Sequence, residues 1–379
     1  MQFTSTQENF THALQTVCRI SQKHTSLPIL ENVLIRADAS KIEIMGTNLE
    51  IGIQHSFRGK VEVSGEITVP AKVISGFISH IPSENQIVFT VNEQDVSITS
   101  GKYKANIKGI VSEDFPLIPQ PKENEGKTWN IPCKEFQEKI TQSMMCVAPN
   151  DVRVEFSGVY AKFSPQGLTL VSTDSFRLLE VEYKGSTNGS EEEVDVIIPL
   201  RTLTEVIHCL PYALNGLLKI HIEDGQIFFI LSEDVIIVSQ LISGNFPDYK
   251  QIIPKSPQTI LDLNTKDCMR AVKLAHVFSQ KTASEVIFRV LVESKQVLME
   301  SKGGAIGKNT TVLDPIFIQG VDQEVILNPK YISDVLHLIS EDEFRVAFTN
   351  DTSPVLFGIK EGEQNFKKGF CYVLMPIKK

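Results

Sequence analysis

The chain has 379 residues, of which 42% are hydrophobic and 22% are charged, a composition that excludes a disordered or fibrous protein. Its length exceeds what one hydrophobic core organises and suits two or three domains. The net charge of −9 argues at first against a nucleic-acid partner, because an acidic surface repels a polyanion.

Cysteine usage and the amino terminus indicate the cellular compartment. The six cysteines stand singly and form no CxxC pair, which is typical of a reducing environment. The first residues lack the basic start and apolar run of a signal peptide, and the longest apolar runs are far too short to span a bilayer. We therefore expect a cytoplasmic protein with no membrane partner.

The first third of the chain predicts an early helix, strands and a late helix. A strand at Phe3 leads into an amphipathic helix over 7–24. The run Lys41–Met45 alternates between polar and apolar residues, as a half-buried strand does. A second helix over 71–81 follows Pro70, with apolar residues at the spacing of one helical face.

The central third repeats this order. A strand at Trp129 precedes a predicted helix over 133–147, and a late helix over 200–211 follows Pro199. The dipeptide Asp224-Gly225 lies between two alternating runs and predicts a β-hairpin.

The last third predicts helices over 266–281 and 329–340, the second of them at Pro329. At 100° per residue the first of these helices groups its cations, Lys266, Arg270 and Lys273, on one side. We expect its apolar residues to pack on a sheet; they are Ala271, Leu274, Ala275 and Phe278.

These three passages are copies of one module. The prolines Pro70, Pro199 and Pro329 are 129 and 130 residues apart, and Pro199 fits the first position of its helix. The pairs Phe115-Pro116 and Phe246-Pro247, 131 residues apart, begin two proline-rich linkers. The prediction is an α+β protein of three repeated domains, each with two helices on about seven antiparallel strands. The boundaries fall at 1–122, 128–253 and 254–379.

Residues arranged for catalysis are not evident. The sequence contains no HExxH, CxxC or GxSxG motif. The segment Lys302–Lys308 lacks the spacing of a phosphate-binding loop and is better read as a hairpin loop. Asp174 has no histidine partner at a telling distance, so a structural turn is the favoured interpretation. We expect no enzyme activity, no metal and no cofactor.

The charge is distributed unevenly between the predicted helices and the rest of the chain. The six predicted helical segments together carry +5, which leaves −14 for the remainder. One face of the protein could therefore attract a polyanion that the other face repels. The cations are widely spaced and lack interleaved aromatic residues, which suits phosphate contact without base reading.

Short motifs along the whole chain give a family resemblance. They are SLPIL (26–30), GTNLE (46–50), DVR (151–153), STDSFRL (172–178), NFPDY (245–249) and YVLMPIKK (372–379). In this order, on a triplicated chain of this length, they resemble the bacterial DNA polymerase III β subunits, the sliding clamps. The resemblance implies the DNA clamp fold, in which protomers assemble head-to-tail into a closed homodimeric ring around double-stranded DNA.

The same resemblance implies partners and a site for them. It implies the DNA polymerase III catalytic subunit, an ATP-driven clamp loader, and other DNA polymerases and repair proteins, all through short apolar peptide motifs. The matching groove positions are Phe156, Thr173, Ser175, Phe176, Arg177, Leu178, Pro247, Val373, Leu374, Met375 and Pro376.

The resemblance also implies positions for DNA and for the dimer. Its DNA contacts match His24, Lys72, Asn150 and Arg201, to which the residues themselves add Lys266, Arg270 and Lys273. At the dimer interface, Lys104–Lys108, which includes Ala105 and Ile107, should face Val277 and Phe278 of the next protomer. Ala105 is small where an aromatic residue can stand, which predicts a looser or repacked interface.

Two other functions remain open at this point. One is an enzyme of repeated α+β domains with a site near Thr173–Arg177. The other is a scaffold that does not bind DNA, which predicts no charge difference between helices and strands.

Overall fold

The computed structural model describes residues 1–21, 27–122, 125–213, 215–279, 284–304, 307–362 and 365–378. The backbone forms two compact units. Unit 1 contains Met1–Gln137, Thr187–Glu192 and Arg201–Leu241, and unit 2 contains Glu138–Ser186, Glu193–Leu200 and Ile242–Lys379. The central third of the sequence therefore contributes residues to both.

Six helices lie among the described residues, two in each third of the chain as predicted. They are α1 (Gln7–Val17), α2 (Ala71–Ser79), α3 (Cys133–Ser143), α4 (Leu200–Cys209), α5 (Thr265–Ser279) and α6 (Pro329–Leu338). The predicted apolar face of α1 is buried, including Phe10 and Leu14, and Thr6 caps its first turn by accepting a hydrogen bond from the Asn9 amide at 3.3 Å. None of the described helices combines the length and the apolar character that a membrane span requires.

The prolines do not all begin their helices. Pro70 ends a strand and is the N-cap of α2. Pro199 is the last strand residue before α4, so the first helical position predicted for it was wrong. In these two modules the strand runs directly into the helix, whereas Pro329 is the first residue of α6. In each of these three helices the second residue is a cation: Lys72 in α2, Arg201 in α4 and Lys330 in α6.

The strands are numerous and short. In the first two thirds they are β1 (Gln2–Thr6), β2 (Asn32–Asp38), β3 (Lys41–Thr47), β4 (Ile51–Arg58), β5 (Lys60–Val63), β6 (Gly65–Pro70), β7 (Gln86–Asn92), β8 (Asp95–Ser100), β9 (Tyr103–Lys108), β10 (Lys127–Pro132), β11 (Gly158–Ser164), β12 (Gly167–Thr173), β13 (Arg177–Lys184), β14 (Val194–Pro199), β15 (Leu217–Glu223), β16 (Gln226–Ile230) and β17 (Val235–Gln240). In the last third they are β18 (Thr259–Asn264), β19 (Val286–Leu291), β20 (Gln296–Lys302), β21 (Lys308–Leu313), β22 (Phe317–Gln319), β23 (Gln323–Leu327), β24 (Glu343–Phe348), β25 (Val355–Gly358), β26 (Lys360–Glu361), β27 (Asn365–Phe366) and β28 (Phe370–Leu374).

Each unit contains one large antiparallel sheet built from two modules. In unit 1 the eight-stranded sheet has the order β10-β15-β16-β17-β4-β3-β2-β6, beside a five-stranded sheet β5-β1-β7-β8-β9. In unit 2 the nine-stranded sheet has the order β14-β11-β12-β13-β28-β25-β24-β18-β22, beside a four-stranded sheet β21-β20-β19-β23 and the pair β26-β27. Hydrogen bonds thus join the modules into continuous sheets.

The two large sheets have equivalent seams between modules. In unit 1, β4 pairs with β17, and Gly52 lies opposite Val238. In unit 2, β13 pairs with β28, and Leu178 lies opposite Val373. Each seam joins the fourth strand of one module to the last strand of the next, as the triplicated sequence requires.

Helix α5 packs on a face different from the predicted one. Ala271 and Ala275 are buried as expected, together with Cys268 and Val272. Leu274, which was expected to pack on the sheet, is 45% exposed. At 100° per residue the four buried residues centre between Cys268 and Ala275, and Leu274 lies roughly 110° from that direction, outside the contact.

Candidate functional site

A cavity of about 390 Å³ opens in unit 2 beside the seam between β13 and β28. Eight of the predicted groove residues line it: Phe156, Thr173, Ser175, Arg177, Leu178, Pro247, Val373 and Met375. Three others do not, namely Phe176, Leu374 and Pro376. Successive side chains of β28 point to opposite faces, so Val373 reaches the groove and Leu374 is buried beyond it.

Turn chemistry fixes one wall of the groove. Thr173 Oγ1 accepts a hydrogen bond from the Ser175 amide at 3.1 Å and donates one to the Arg177 carbonyl at 2.8 Å. Asp174 Oδ1 accepts from the Phe176 and Arg177 amides at 3.0 and 2.9 Å. Asp174 is therefore a turn residue, as the sequence favoured, and Ser175 has a φ of 75° that this tight turn requires.

Arg177 is held by its own unit. Its guanidinium contacts Asp174 at 2.9 Å and Asp334 at 2.5 Å, donates to the Met145 carbonyl at 3.0 Å, and lies 4.3 Å from the ring centroid of Tyr331. The family resemblance implied Arg177 as a groove position, and this side chain lines the cavity while three acceptors and a ring engage its guanidinium. In the structure, Arg177 fixes the wall of the groove at the start of β13, and Leu178 is the next residue of that strand.

Arg153 is the more accessible cation at the groove mouth. Its guanidinium lies 4.2 Å from the ring centroid of Phe156 and contacts both Asp151 and the Ser175 hydroxyl. Half of its side chain is exposed. In the sequence Arg153 stands out only as part of the family motif DVR, because nothing in its local pattern shows that the guanidinium stacks above the groove floor.

Tyr249 attaches the second linker to the sheet. Its hydroxyl donates to the Glu180 carboxylate, which also accepts from Lys250 Nζ at 2.5 Å. Burial, together with the neighbouring Glu180 carboxylate, raises the pKa of Tyr249 well above its ordinary value, so the hydroxyl keeps its proton. The ring lines the groove and packs with Leu178 and Val373, a role that the sequence did not predict.

The predicted DNA-contact residues are mostly exposed. Lys72, Asn150, Lys266, Arg270 and Lys273 are exposed, and Arg201 is partly buried, whereas His24 lies outside the described residues. Lys266 is 3.3 Å from Asp342 and Arg270 is 3.0 Å from Asp267, both as exposed ion pairs. Such pairs are weak, about 0–1 kcal/mol, so these cations stay available to phosphate.

The predicted dimer residues lie at two free edges. Ala105 and Ile107 belong to β9, an edge strand of the five-stranded sheet in unit 1. In unit 2, Val277 is 63% exposed and Phe278 is half-buried at the end of α5, which packs on the edge strand β21.

Comparisons with known proteins give the family. The profile for the DNA polymerase III beta subunit N-terminal domain matches residues 1–119, that for the central domain matches 130–248, and that for the C-terminal domain matches 250–378. The beta sliding clamp of Bacillus subtilis is 26% identical over 365 residues, which are 94% of this chain and 95% of that protein. The beta sliding clamp of Synechococcus elongatus is 23% identical over 96% of this chain and 99% of that protein.

Solved structures agree with the fold class predicted from the sequence. A DNA polymerase III subunit beta of Pseudomonas aeruginosa has a TM-score of 0.92 at 21% identity, with all of each chain covered. A sliding clamp of Bartonella birtlesii bound to griselimycin has a TM-score of 0.89 at 25% identity, again with full coverage of both chains. Since the three profiles match almost every residue in order, the chain belongs to the DNA polymerase III beta subunit family.

Proposed function

We propose that this chain is a sliding clamp, a non-catalytic processivity factor that encircles duplex DNA without reading its sequence and tethers the replicative DNA polymerase. The observation that carries the proposal is the match of the beta subunit profiles along nearly the whole chain. Relatives matched over more than nine tenths of their length are beta sliding clamps, which are processivity factors and not enzymes.

The proposed clamp has domains 1–122, 128–253 and 254–379. In each domain the second of the two helices presents a cation to DNA. Lys72, Arg201 and Lys330 are equivalent second residues of α2, α4 and α6. Phosphate contacts carry no sequence information and weaken steeply with salt. A few such contacts suit a protein that must slide, because strong contacts would hold it in place. Retention then comes from closure of the ring.

The groove in unit 2 is the proposed client site. Phe156, Leu178 and Val373 form an apolar floor suited to one anchor side chain of an extended peptide. Arg153 beside this floor provides a cation for an acidic residue or a terminal carboxylate. The proposed clients are the DNA polymerase III catalytic subunit, an ATP-driven clamp loader, and other DNA polymerases and repair proteins. We propose that they meet the clamp in the cytoplasm.

Internal repetition supports a homodimer interface at the two free edges. Strand β4 pairs with β17 in unit 1, and β13 pairs with β28 in unit 2. The equivalent strands of the third junction are β21 and β9, and each is at the edge of its sheet. Pairing β21 of one copy with β9 of the next gives a heterologous, head-to-tail contact that two copies can close into a ring.

Helix faces at this third junction are also free. In α4, Thr202, Glu205 and Cys209 are buried. Their equivalents in α2 are Val73, Gly76 and His80, and all three are exposed. The face of α2 is therefore uncovered in a single chain, as expected if a second copy covers it. Val277 and Phe278 of that copy are the apolar residues proposed to do so, so Phe278→Asp should produce monomers.

Retention on DNA of different topology tests the function. The clamp is loaded onto nicked circular DNA, and the half-life of the complex is compared before and after one restriction cut. A ring leaves the linear molecule within seconds to minutes by sliding off the end, and it stays on the circle. Equal half-lives on circular and linear DNA would refute encirclement.

A further inference from the structure

Unit 1 contains a cavity of about 700 Å³ that the proposed client groove does not use. It lies between strands β2–β4 and β17 and the segment that follows the Phe115-Pro116 pair. Its apolar floor is the cluster of Leu34, Met45 and Phe115, against which Ile118 packs. The cavity shares no lining residue with the unit 2 groove.

The cavity borders a position at which one side chain differs between equivalent modules. Leu34 of β2 lies opposite Met45, as Tyr160 of β11 lies opposite Val171. In unit 2 the Tyr160 ring stacks on Phe246, with ring centroids 5.1 Å apart at 25°, and fills the space beneath the linker. In unit 1 the smaller Leu34 takes this position, packs with Met45 and with Phe115, the equivalent of Phe246, and lines the cavity.

The mouth of the cavity combines an exposed apolar side chain with acidic charge. Leu117 is 96% exposed beside the opening. The equivalent residue of the second linker is Asp248. Arg36 pairs with Glu66 at 2.8 Å and Lys41 with Glu43 at 2.9 Å, so these four charges balance. Glu113 and Glu233 are then an excess of two negative charges in the lining. At the unit 2 groove, the half-exposed Arg153 lies at the mouth beside Glu155. Arg177 in that groove is already paired with Asp174 and Asp334.

We propose that this cavity is a second peptide-binding site, which takes a short segment with an apolar anchor next to lysine or arginine. The anchor packs in the cavity beside Leu34 and Phe115, and Leu117 packs on a neighbouring apolar residue of the peptide. Glu113 and Glu233 meet the cationic flanks. Gln120, which donates to Gln54 at 2.8 Å, keeps its carbonyl oxygen for a peptide amide. The proposal goes beyond the client groove and does not depend on it.

Each of the two sites contains a methionine whose methyl group can report binding, so one experiment distinguishes the sites. Met45 is in the floor of the unit 1 cavity, and Met375 lines the unit 2 groove. The full-length protein is labelled with ¹³C-methyl methionine, and its methyl resonances are followed by NMR. The amidated peptide KKLFLK and the acetylated peptide EELFLE are titrated separately. The basic peptide is expected to shift the Met45 signal, and the acidic peptide the Met375 signal. A basic peptide that leaves Met45 unmoved at millimolar concentration overturns the proposal, whatever the acidic peptide does.

Two substitutions test the geometry. Leu34→Tyr places the residue of unit 2 in the cavity and should abolish the Met45 shift while the Met375 response to the acidic peptide persists, which also shows that the protein is folded. Leu117→Ser alters a side chain that is almost fully exposed, so it cannot disturb the core, and it should weaken the basic peptide about fivefold or more. Unchanged affinity in both variants overturns the proposal.

A charge variant tests recognition of the flanks. Glu113→Gln with Glu233→Gln should weaken the basic peptide by about twofold to fivefold, and this weakening should disappear at high salt. The matched control is Glu155→Gln at the mouth of the unit 2 groove, which should leave the basic peptide unaffected. An equal weakening in the control would mean that the peptide binds through general attraction to an acidic protein, and would overturn a specific site.

Discussion

Arg19 Nε lies 2.7 Å from Glu205 Oε2, and this ion pair joins the segment after α1 to α4 in unit 1. In the third module Val277 is the equivalent of Arg19, and in the first module Gly76 is the equivalent of Glu205, by the spacing of the buried positions in each helix. If the chain forms a head-to-tail ring, an apolar residue and a glycine replace the ion pair at the protomer junction. The junction that must open for loading would then lack an ion pair that the internal junction has.

Transplanting the ion pair tests this equivalence. Val277→Arg alone should weaken the dimer about tenfold or more, because it introduces an unpaired cation into an interface. Gly76→Glu has room for its side chain, since no atom of the described residues lies within 4 Å of the new Cβ position, and alone it should also weaken the dimer. The double variant should recover much of the affinity. Analytical ultracentrifugation over a concentration series measures each dissociation constant.

Val63→Arg is the matched control for the transplant. Val63 is 52% exposed on β5, at the sheet edge opposite β9. Its replacement should leave the dimer unchanged. If the double variant dissociates as much as the product of the two single effects, the residues do not meet and the proposed equivalence is wrong.

Arg153 should contribute to client affinity through its charge. Arg153→Ala is expected to weaken the acidic peptide EELFLE by about fivefold, because an exposed ion pair contributes up to about 1 kcal/mol. Met375→Ala should weaken it about tenfold, because the anchor then packs against a smaller apolar surface. Fluorescence anisotropy with a labelled peptide measures both. Lys162→Ala, on β11 of the same sheet, is the control for charge, and a similar weakening there would remove the case for Arg153.

His55 should make the stability of unit 1 depend on pH. Burial lowers its pKa to about 4, against a partial opposing effect of Asp234 and with a further lowering by His12, and its Nδ1 lies 3.1 Å from Thr16 Oγ1. The unfolded chain, with a histidine pKa near 6.5, binds a proton that the folded protein excludes. Stability should therefore fall as pH drops from about 6.5 to 4, by up to about 3 kcal/mol from this group.

The comparison of wild type with His55→Gln isolates that effect. Urea unfolding at pH 7 and at pH 5 should give a smaller decrease in stability on acidification in the variant. His337→Gln on the surface of α6 is the control and should follow the wild type. An identical pH dependence in wild type and His55→Gln would show that His55 is accessible to protons in the folded state.

The periodic parts of the molecule were predictable from the sequence. The six helices and the hairpin at Asp224-Gly225 depend on local residue spacing. The helix spacing recurs in each third of the chain, which reveals the modular repeat. The exposure of Leu274 was not predictable, since the apolar spacing groups it with Ala271 and Ala275 but does not show where the buried face of α5 ends. Periodicity gives a helix its faces but does not decide how wide the buried face is.

The candidate site was predictable in part. Most groove residues came from motifs of the family, and the structure gathers eight of them around one cavity. The partners of Arg177 and the stacking of Arg153 over Phe156 depend on residues distant in sequence, so no local pattern reveals them. The cavity in unit 1 was not predictable either, because its lining comes from strands β2–β4, β6 and β17 and from the segment 112–120, which are distant in sequence.

The cations of α5 should set the salt dependence of DNA binding. Replacing Lys266, Arg270 and Lys273 together with alanine should reduce the slope of log K against log salt by about 0.9 for each DNA phosphate that is no longer neutralised. Lys162, Lys184 and Lys219 on the strands form a control triple with the same change in net charge. Anisotropy with a short labelled duplex, measured from low to physiological salt, gives both slopes. A general effect of net charge would lower the two slopes equally, whereas a DNA-facing surface on α5 lowers only the first, because only helix cations then release counterions from the duplex.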